Sequence, residues 1–380
     1  MHASSFSKIP WLLFFSALGI TLLGLCGLLR ADELYGRTML VERQIIWLML
    51  ALPVCGLVAF TPFRLIRPWS KPLFVFSLIL LVLTLIMPPI NGSRRWIPLG
   101  FFDLQASEPA RLSFILALAG WLMHRRTQQT VSGLLVPSLM AIVPMLLIIR
   151  EPDLDTALLF VPVLVVMLLA AGANVRHLFN AALVMIACVP LLWTQMSAEQ
   201  KSRIVTVFTQ KDGGRTPTGD GFHLHQSKQV LALGGFYGSV AESSPPLDDL
   251  AAWQLPASRT DFVFVMIAER LGFVGCVAVL LCYSILVLQG LWIAQSAQEP
   301  WARLVAIGIT TLIGEQAILN TAMTVGILPI TGTTLPLCSY GGSSLITTWA
   351  AVGLLMSIRM HSSLEAVGEP FFGRQLQSAR

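Results

Sequence analysis

The chain contains the stretch Pro256-Ala-Ser-Arg-Thr-Asp-Phe-Val-Phe-Val-Met-Ile-Ala-Glu-Arg-Leu-Gly272, in which a polar loop runs into an apolar helix. Asp261 stands at the junction, and the seven residues after it, 262–268, have no ionisable side chain. A charge one turn deeper in the membrane would cost roughly 3 kcal/mol or more. We therefore expect Asp261 to lie where water ends and lipid begins, and we take it as the first candidate functional residue.

The composition on either side of this stretch predicts an all-α polytopic membrane protein. Of the 380 residues 55% are hydrophobic and only 12% are charged, and the mean hydropathy is +0.74, whereas a soluble domain carries about 25% charged residues. About ten apolar runs approach the length that spans a bilayer, which is about 20 residues. They are Trp11–Leu29, Ile45–Phe60, Leu73–Ile90, Leu112–Met123, Val131–Ile149, Thr156–Gly172, Leu178–Thr194, Phe262–Ala294, Leu304–Leu328 and Leu345–Ile358.

The loop charges predict which side each loop faces. We expect one transmembrane domain over residues 1–360, a large loop over 195–260 between the seventh and eighth helices, and a short tail over 361–380. The loops on the side of the two termini carry more Lys and Arg than the short loops opposite, so the positive-inside rule places the termini and the tail in the cytoplasm. The large loop and Asp261 then face outward, together with most of the acidic residues. The basic residues are scattered, which does not indicate a nucleic-acid partner.

Two outer loops carry features that go beyond simple connections. The loop 195–260 is far longer than usual and too apolar to be freely disordered, so we expect it to pack on the outer helix ends with short amphipathic helices. The stretch 326–344 is rich in Gly, Pro and hydroxyl side chains between two spans. Irregular backbone at membrane depth needs protein or water partners, so we expect it to line a cavity.

Asp261 itself has three readings from the residues alone. It could act as a general base in a partly desolvated site. It could favour the dipole of the helix that follows, with Thr260 as the N-cap. It could be half of an ion pair with Arg259 or Arg270.

Other polar residues also have a functional and a structural reading. Glu269, Arg270 and Glu315 fall inside apolar runs, where ion pairs are expected, and Glu315 could be the partner of Arg270. Arg94 and Arg95 could recognise phosphate beside Trp96, which favours the headgroup level, or all three could form an interfacial anchor. The three carboxylates of 150–155 could bind a divalent cation, although a solvated turn is the default reading.

Several stretches together resemble the SEDS family (shape, elongation, division and sporulation), the group of RodA, FtsW and SpoVE. The resemblance runs in order from about residue 91 to 358. Its motifs are Gly92 with Arg95-Trp96, Gln105-Ala-Ser-Glu108, Glu151-Pro-Asp-Leu154 with Thr156-Ala157, Gln226-Ser227, Gly234-Gly-Phe-Tyr-Gly238, Pro256, Thr260-Asp-Phe262, Leu271-Gly272, Asn320, Gly326, Leu328-Pro329, Thr331-Gly332, Leu335-Pro336 and Ser339-Tyr-Gly-Gly-Ser-Ser344.

The resemblance implies a peptidoglycan glycosyltransferase that polymerises lipid II in the bacterial cytoplasmic (inner) membrane, beside a class B penicillin-binding protein. By this analogy Asp261 is the catalytic base, no metal ligand is assigned, and a divalent cation is an open option. The substrate-binding candidates are Trp96, Arg94, Arg95, Arg259, Gln226, Ser227 and Ser343. The structural or coupling candidates are Glu108, Glu269, Arg270 and Glu315.

The chain departs from the pattern common in that family at five positions: Ala106, Asp155, Ala257, Arg259 and Arg270. Asp155 stands where glycine is common, and Arg259 and Arg270 stand where histidine and glutamate are common. Extra cations near Asp261 would favour its ionised form and weaken it as a base. Either the loop acids Glu242, Asp248 and Asp249 compensate, or the activity is altered.

Two other functions fit the same residues. A lipid-precursor flippase or transporter would suit a ten-helix protein with buried charges, although such proteins place their polar residues near the midplane in related halves. An inactive scaffold for a penicillin-binding protein would suit the departures at the junction.

Overall fold

The computed structural model describes residues 8–36, 38–88, 94–100, 103–123, 129–195, 198, 201, 205, 220–239, 255 and 257–362. The helices are α1 Trp11–Tyr35, α2 Leu40–Phe60, α3 Phe63–Ile66, α4 Ser70–Thr84, α5 Ser107–Leu122, α6 Val131–Arg150, α7 Leu154–Leu158, α8 Phe160–Ala170, α9 Val175–Gln195, α10 Asp220–Leu233, α11 Val263–Ser296, α12 Pro300–Val325 and α13 Gly342–His361, with a 3-10 turn at Arg67–Trp69 between α3 and α4. The two strands are β1 Trp96–Pro98 and β2 Asp103–Gln105.

Within the described residues, seven helical segments are long and apolar enough to cross a membrane, which confirms a mostly helical multi-pass protein. They are Trp11–Leu34, Leu40–Phe60, Phe63–Thr84, Val131–Arg150, Val263–Ser296, Pro300–Val325 and Gly342–His361. The other three predicted runs coincide with α5, with α7 and α8, and with α9. The count of ten and the position of the large loop stay predictions, as does the division into a domain over 1–360 and a tail, most of which (363–380) lies outside the described residues.

The core lies where long helices run side by side. α1 packs along α11, α2 along α13, and α11 also along α12. Large apolar side chains on the opposite faces, such as Met49, Leu57 and Ile79, remain exposed, as expected of surfaces that meet lipid.

The two strands form a small antiparallel ribbon before α5, which the expectation of an all-α chain did not include. Trp96 lies opposite Gln105 in its register. The ribbon is fixed to the start of α13, because the Ser343 hydroxyl accepts from the Gln105 N–H and donates to the Asp103 carbonyl, each at 3.2 Å.

α11 is broken at Gly272, where φ is 65° and ψ is −160°. The break frees backbone groups that an unbroken helix would pair internally. The segment 234–239, which follows α10, supplies their partners. The Ser239 N–H donates to the Glu269 carbonyl at 2.9 Å, and the Phe273 N–H donates to the Gly235 carbonyl at 3.1 Å.

This arrangement needs glycine because the two backbones touch. A Cβ on Gly234 would lie 2.0 Å from the Ala268 carbonyl oxygen, and a Cβ on Gly272 would lie 2.4 Å from the Gly238 nitrogen. The first helical part of α11, which follows Asp261, is thereby fixed to the segment 234–239.

Candidate functional site

Asp261 lies in a tight turn before α11 rather than on the helix. The Ala257 carbonyl accepts from the N–H groups of Thr260, Asp261 and Phe262 at 3.0–3.2 Å. Ala257 has a φ of 55°, which is uncommon for a residue other than glycine. The N-cap of α11 is Phe262 and no side chain caps it, so the prediction of Thr260 as the cap is wrong.

The stretch 326–341, between α12 and α13, holds this turn in place. The buried Asn320 amide donates to the Asp261 carbonyl at 2.9 Å and to the Thr333 carbonyl at 2.8 Å. The Tyr340 N–H donates to the Arg259 carbonyl at 3.1 Å. The irregular stretch 326–341 therefore packs on the turn of Asp261, and the Thr333 carbonyl and the Tyr340 N–H find partners within the protein.

A second carboxylate, that of Asp155, reaches the same place. Asp155 Oδ2 accepts from the Gly332 N–H at 3.2 Å. A Cβ built on Gly332 would lie 3.9 Å from Asp155 Oδ2 and 3.9 Å from Asp261 Oδ2. The two carboxylates thus both lie near Gly332.

The two arginines expected to weaken Asp261 as a base are paired with acids at the C-terminal end of α1. Arg259 Nε lies 2.9 Å from Asp32 Oδ1, and Arg270 Nη1 lies 2.9 Å from Glu33 Oε2. The predicted pair of Arg270 with Glu315 is therefore wrong. The suggested compensating acids Glu242, Asp248 and Asp249 lie outside the described residues.

Glu269 forms a buried ion pair, as its place in the bundle predicts, with Arg30 of α1. The pair is two-pronged, with Nε–Oε2 at 2.6 Å and Nη2–Oε1 at 2.7 Å. Arg30 also contacts Glu33 at 3.0 Å, which joins this pair to Arg270.

Sequence reasoning missed Arg30, Asp32 and Glu33 because the first apolar run was ended at Leu29 and these residues were assigned to a loop. The structure continues α1 to Tyr35. The i,i+3 spacing of Arg30 and Glu33 was the signal that could have found them.

The arginines before the ribbon differ from each other. Arg95 is partly used by the protein, since its Nε lies 3.5 Å from Asp153 Oδ2 and its Nη2 donates to the Pro152 carbonyl. Arg94 is exposed and donates to the Leu85 carbonyl at 2.8 Å.

The turn after α6 is buried, so the default expectation of a solvated turn is wrong. Glu151 and Asp153 are buried, with 0% and 3% of their surface exposed. Asp153 caps α7 by accepting from the Thr156 N–H at 3.2 Å.

Burial raises the pKa of Glu151 to about 7. The Thr84 hydroxyl and Arg95 oppose this change, and Asp153 adds to it. Within the described residues no three His, Cys, Asp or Glu side chains are grouped as a metal site, and the divalent cation stays a prediction.

Two predicted substrate-binding hydroxyls form hydrogen bonds within the fold, and their role towards the substrate stays a prediction. The Ser227 hydroxyl, fully buried on α10, donates to the Thr324 carbonyl at 2.8 Å. Ser343 fixes the ribbon, as described above. Gln226 is buried, and its side-chain oxygen has no hydrogen-bond partner among the described residues.

The remaining candidates form a buried polar group between α5 and α12. Glu108 and Arg111 form an ion pair. The positive charge of Arg111 also interacts electrostatically with the Glu315 carboxylate. Neither carboxylate oxygen of Glu315 has a hydrogen-bond partner in the described part of the chain. A cavity of about 20 Å³, enough for one water, is lined by Glu108, Gln316 and Thr348 among others.

Known proteins are similar to this chain over almost its whole length. A family model described as cell cycle protein, FTSW_RODA_SPOVE, matches residues 7–364. Peptidoglycan glycosyltransferase MrdB of Escherichia coli (strain K12) is 31% identical over 329 residues, 86% of this chain and 87% of that protein. Stage V sporulation protein E of Bacillus subtilis (strain 168) is 35% identical over 305 residues, 78% of this chain and 80% of that protein.

Solved structures match as well. A chain from a peptidoglycan synthase complex, solved for the coordination of polymerization and crosslinking, has a TM-score of 0.80 and 30% identity, and covers 94% of this chain and 99% of its own. The rod shape determining protein RodA of Thermus thermophilus has a TM-score of 0.69 and 28% identity, with 93% and 98% covered. A variant of that RodA with one aspartate changed to alanine matches with a TM-score of 0.68.

Proposed function

The chain belongs to the FtsW, RodA and SpoVE family of cell cycle proteins, and from this premise we propose that it is a peptidoglycan glycosyltransferase that polymerises lipid II. We place the protein in the bacterial cytoplasmic membrane, with the active face outside. The relatives that carry the name peptidoglycan glycosyltransferase support the activity. The acidic bias of the side that holds Asp261 supports the choice of face.

Asp261 is the general base of this reaction. It accepts the proton of the 4-hydroxyl of a GlcNAc acceptor while that oxygen forms a bond to the anomeric carbon of a MurNAc donor. The bond from this carbon to the lipid diphosphate breaks on the opposite face, so the configuration inverts and the diphosphate leaves with the electron pair. A positioned base typically contributes about 10²- to 10⁴-fold to the rate.

The observation that carries this proposal is the way the protein holds the Asp261 turn. Its carbonyl is fixed by Asn320 and its neighbours by the stretch 326–341, while its side chain remains partly exposed before the buried first helical part of α11. A base must be positioned within about 3 Å of the proton it takes, and a rigid backbone meets that need.

The arginines have different parts in substrate binding. Arg94 is exposed and is the guanidinium we assign to the lipid diphosphate, which favours the charge-assisted contacts of arginine. Arg95 and Arg259 shape the site while paired with Asp153 and Asp32. Trp96 is the first residue of the ribbon and is placed at the headgroup level, and Gln226 offers its side-chain oxygen.

The partner is a class B penicillin-binding protein that crosslinks the glycan strand. Support comes from the similarity over 94% of this chain to a chain of a peptidoglycan synthase complex, in which polymerization and crosslinking are coordinated.

The test is polymerisation of labelled lipid II by the purified protein, with and without the cognate penicillin-binding protein. We expect Asp261→Ala to lower the rate at least about 10²-fold with unchanged thermal stability. Asp103→Ala is the matched control, because Asp103 is an exposed aspartate of the ribbon, and it should polymerise at the wild-type rate.

Two outcomes would overturn the proposal. Wild-type activity in Asp261→Ala would remove Asp261 as the base. Transfer of lipid II across liposomes without polymer under any condition would indicate a flippase, and stimulation of the partner by both variants without polymer would indicate a scaffold.

A further inference from the structure

The guanidinium group of Arg259 is bound by the C-terminal end of α1. Its Nε lies 2.9 Å from Asp32 Oδ1, and its Nη2 donates to the Gly36 carbonyl at 2.9 Å and to the Ala31 carbonyl at 3.4 Å. The carbonyl groups at the C-terminal end of a helix carry partial negative charge, which attracts a cation. Arg259 is therefore attached to α1 both by a carboxylate and by the end of the helix backbone.

Asp32 is held in place by a second contact. Its Oδ1 also accepts from the Thr38 hydroxyl at 2.8 Å, and 9% of its side chain is exposed, against 19% for Arg259. Exposed ion pairs change geometry easily and contribute little. A shielded pair with further hydrogen bonds keeps one geometry, so this contact can fix the position of Arg259 relative to α1.

Arg259 belongs to the turn of Asp261 and precedes that residue by two positions. The Arg259 carbonyl accepts from the Tyr340 N–H at 3.1 Å, and the Ala257 carbonyl binds the N–H groups of residues 260–262. The turn is thus attached to the stretch 326–341 through its backbone and to α1 through the Arg259 side chain.

We propose that Asp32 is a positioning residue for the transfer reaction, which acts through Arg259 by fixing the turn that carries Asp261. The inference rests on the proposed function, because it needs Asp261 to be the base of that reaction. A displacement of about 1 Å between reacting groups can lower a rate about 10²-fold. Asp32 acts on the turn and not on lipid II, so its loss slows bond formation and leaves substrate binding in place.

The deciding variant is Asp32→Ala, which removes the carboxylate from Arg259 and keeps a residue that favours the helix. The kcat and KM of lipid II polymerisation are measured with the full-length protein and its partner. We expect kcat to fall about 10-fold or more, with KM within about twofold of the wild-type value, because the lost interaction acts on the transition state.

Glu33→Ala is the matched control. Glu33 is the next residue of α1 and pairs with Arg30 and Arg270 rather than with the turn of Asp261. This variant should keep the wild-type kcat, because the contacts of Arg259 remain.

A double variant tests whether Asp32 acts through Arg259. Changes at two residues in contact are not additive when both break the same interaction. Adding Asp32→Ala to Arg259→Gln should therefore lower kcat by at most about twofold more. A further loss as large as that of Asp32→Ala alone overturns the inference.

Two other results also overturn it. A role confined to stability would lower the thermal midpoint of Asp32→Ala while kcat per folded molecule kept its wild-type value. A raised KM with unchanged kcat would assign Arg259 to lipid II binding. If Asp32→Ala does not fold, as judged by its thermal transition, Arg259→Gln breaks the same contact from the other side and decides by the same split between kcat and KM.

Asp261→Ala in the same series separates this inference from the proposed function. An inactive wild type, or an active Asp261→Ala, contradicts the proposed function. An active wild type and an inactive Asp261→Ala, together with the wild-type kcat in Asp32→Ala, contradict the role of Asp32 alone.

Discussion

The Ala257 carbonyl oxygen accepts hydrogen bonds from three successive N–H groups, those of residues 260–262. These bonds fix the backbone conformation of Asp261, the middle residue of the three. The positive φ of Ala257 stores a strain of about 1 kcal/mol or more. Such strain persists only where neighbouring contacts fix the backbone. Here Asn320 and Tyr340 provide those contacts.

At the same scale, the buried Glu151 predicts a pH-dependent stability. Its pKa is raised from 4.5 to about 7 in the folded protein, mainly by burial. The folded state therefore binds this proton more tightly than the unfolded chain does. The resulting stabilisation is complete below about pH 4.5 and is lost as the pH rises to about 7, to a total of at most about 3 kcal/mol.

We expect Glu151→Gln to flatten the dependence of the thermal midpoint on pH between 5 and 8, measured in detergent. At pH 8 the variant should be at least as stable as the wild type, because a neutral amide replaces a buried charge. Asp103→Asn should follow the wild-type curve. If the thermal midpoints of Glu151→Gln and the wild type fell in parallel as the pH rises, another group would control the stability between pH 5 and 8.

Residues of the candidate site were predictable where a single charge meets an apolar run. Asp261 and Glu269 stood out in this way. The acids Asp32 and Glu33 could not be found by the same argument, because their partners Arg259 and Arg270 lie more than 200 positions away. Only the fold brings these charges together.

At the scale of elements, the broken helix α11 and the segment 234–239 behave as one structure. The segment takes over backbone hydrogen bonds that the helix loses at Gly272. The ten apolar runs were visible in the sequence, but hydrophobicity could not show the break, because 262–294 reads as one continuous span. Gly234 and Gly235 are typical of a turn in the sequence, whereas in the structure Gly234 is a packing site.

Gly234→Ala tests this packing. The added methyl group would meet the Ala268 carbonyl oxygen, a backbone atom that cannot move aside. We expect a loss of roughly 2–4 kcal/mol, from overpacking and from the hydrogen bonds that break, seen as a lower thermal midpoint.

Gly56→Ala is the matched control, because Gly56 lies in α2 with no atom within 4 Å of the added Cβ. It should be neutral or slightly stabilising. Equal stability of the two variants would contradict the role of the segment in the break.

At the scale of the whole molecule, charge joins the first helix to the last third of the chain. Arg30 and Glu269 are both buried, and Glu33 and Arg270 extend the pair towards the surface. Removing one partner of a buried pair leaves an uncompensated charge, whereas replacing both by apolar side chains is often tolerated.

We therefore expect Glu269→Gln to destabilise the protein by roughly 3 kcal/mol and the double change Arg30→Met with Glu269→Met to recover most of that loss. Arg67→Met is the control, since its pair with Glu299 is more exposed and should contribute at most about 1 kcal/mol. Thermal midpoints in detergent provide the measurement. A double variant less stable than Glu269→Gln would show that the Arg30–Glu269 pair stabilises the fold by more than neutralising its two buried charges.

The Arg30–Glu269 pair also has a consequence for synthesis at the ribosome. The two residues are 239 positions apart, and translation adds about 5–20 residues each second, so Arg30 waits roughly 10–50 s for its partner. During that interval the acid within reach on its own helix is Glu33, which lies one turn away. Glu33 can therefore hold the charge of Arg30 in the nascent helix, and the two-pronged pair forms only after Glu269 has been synthesised.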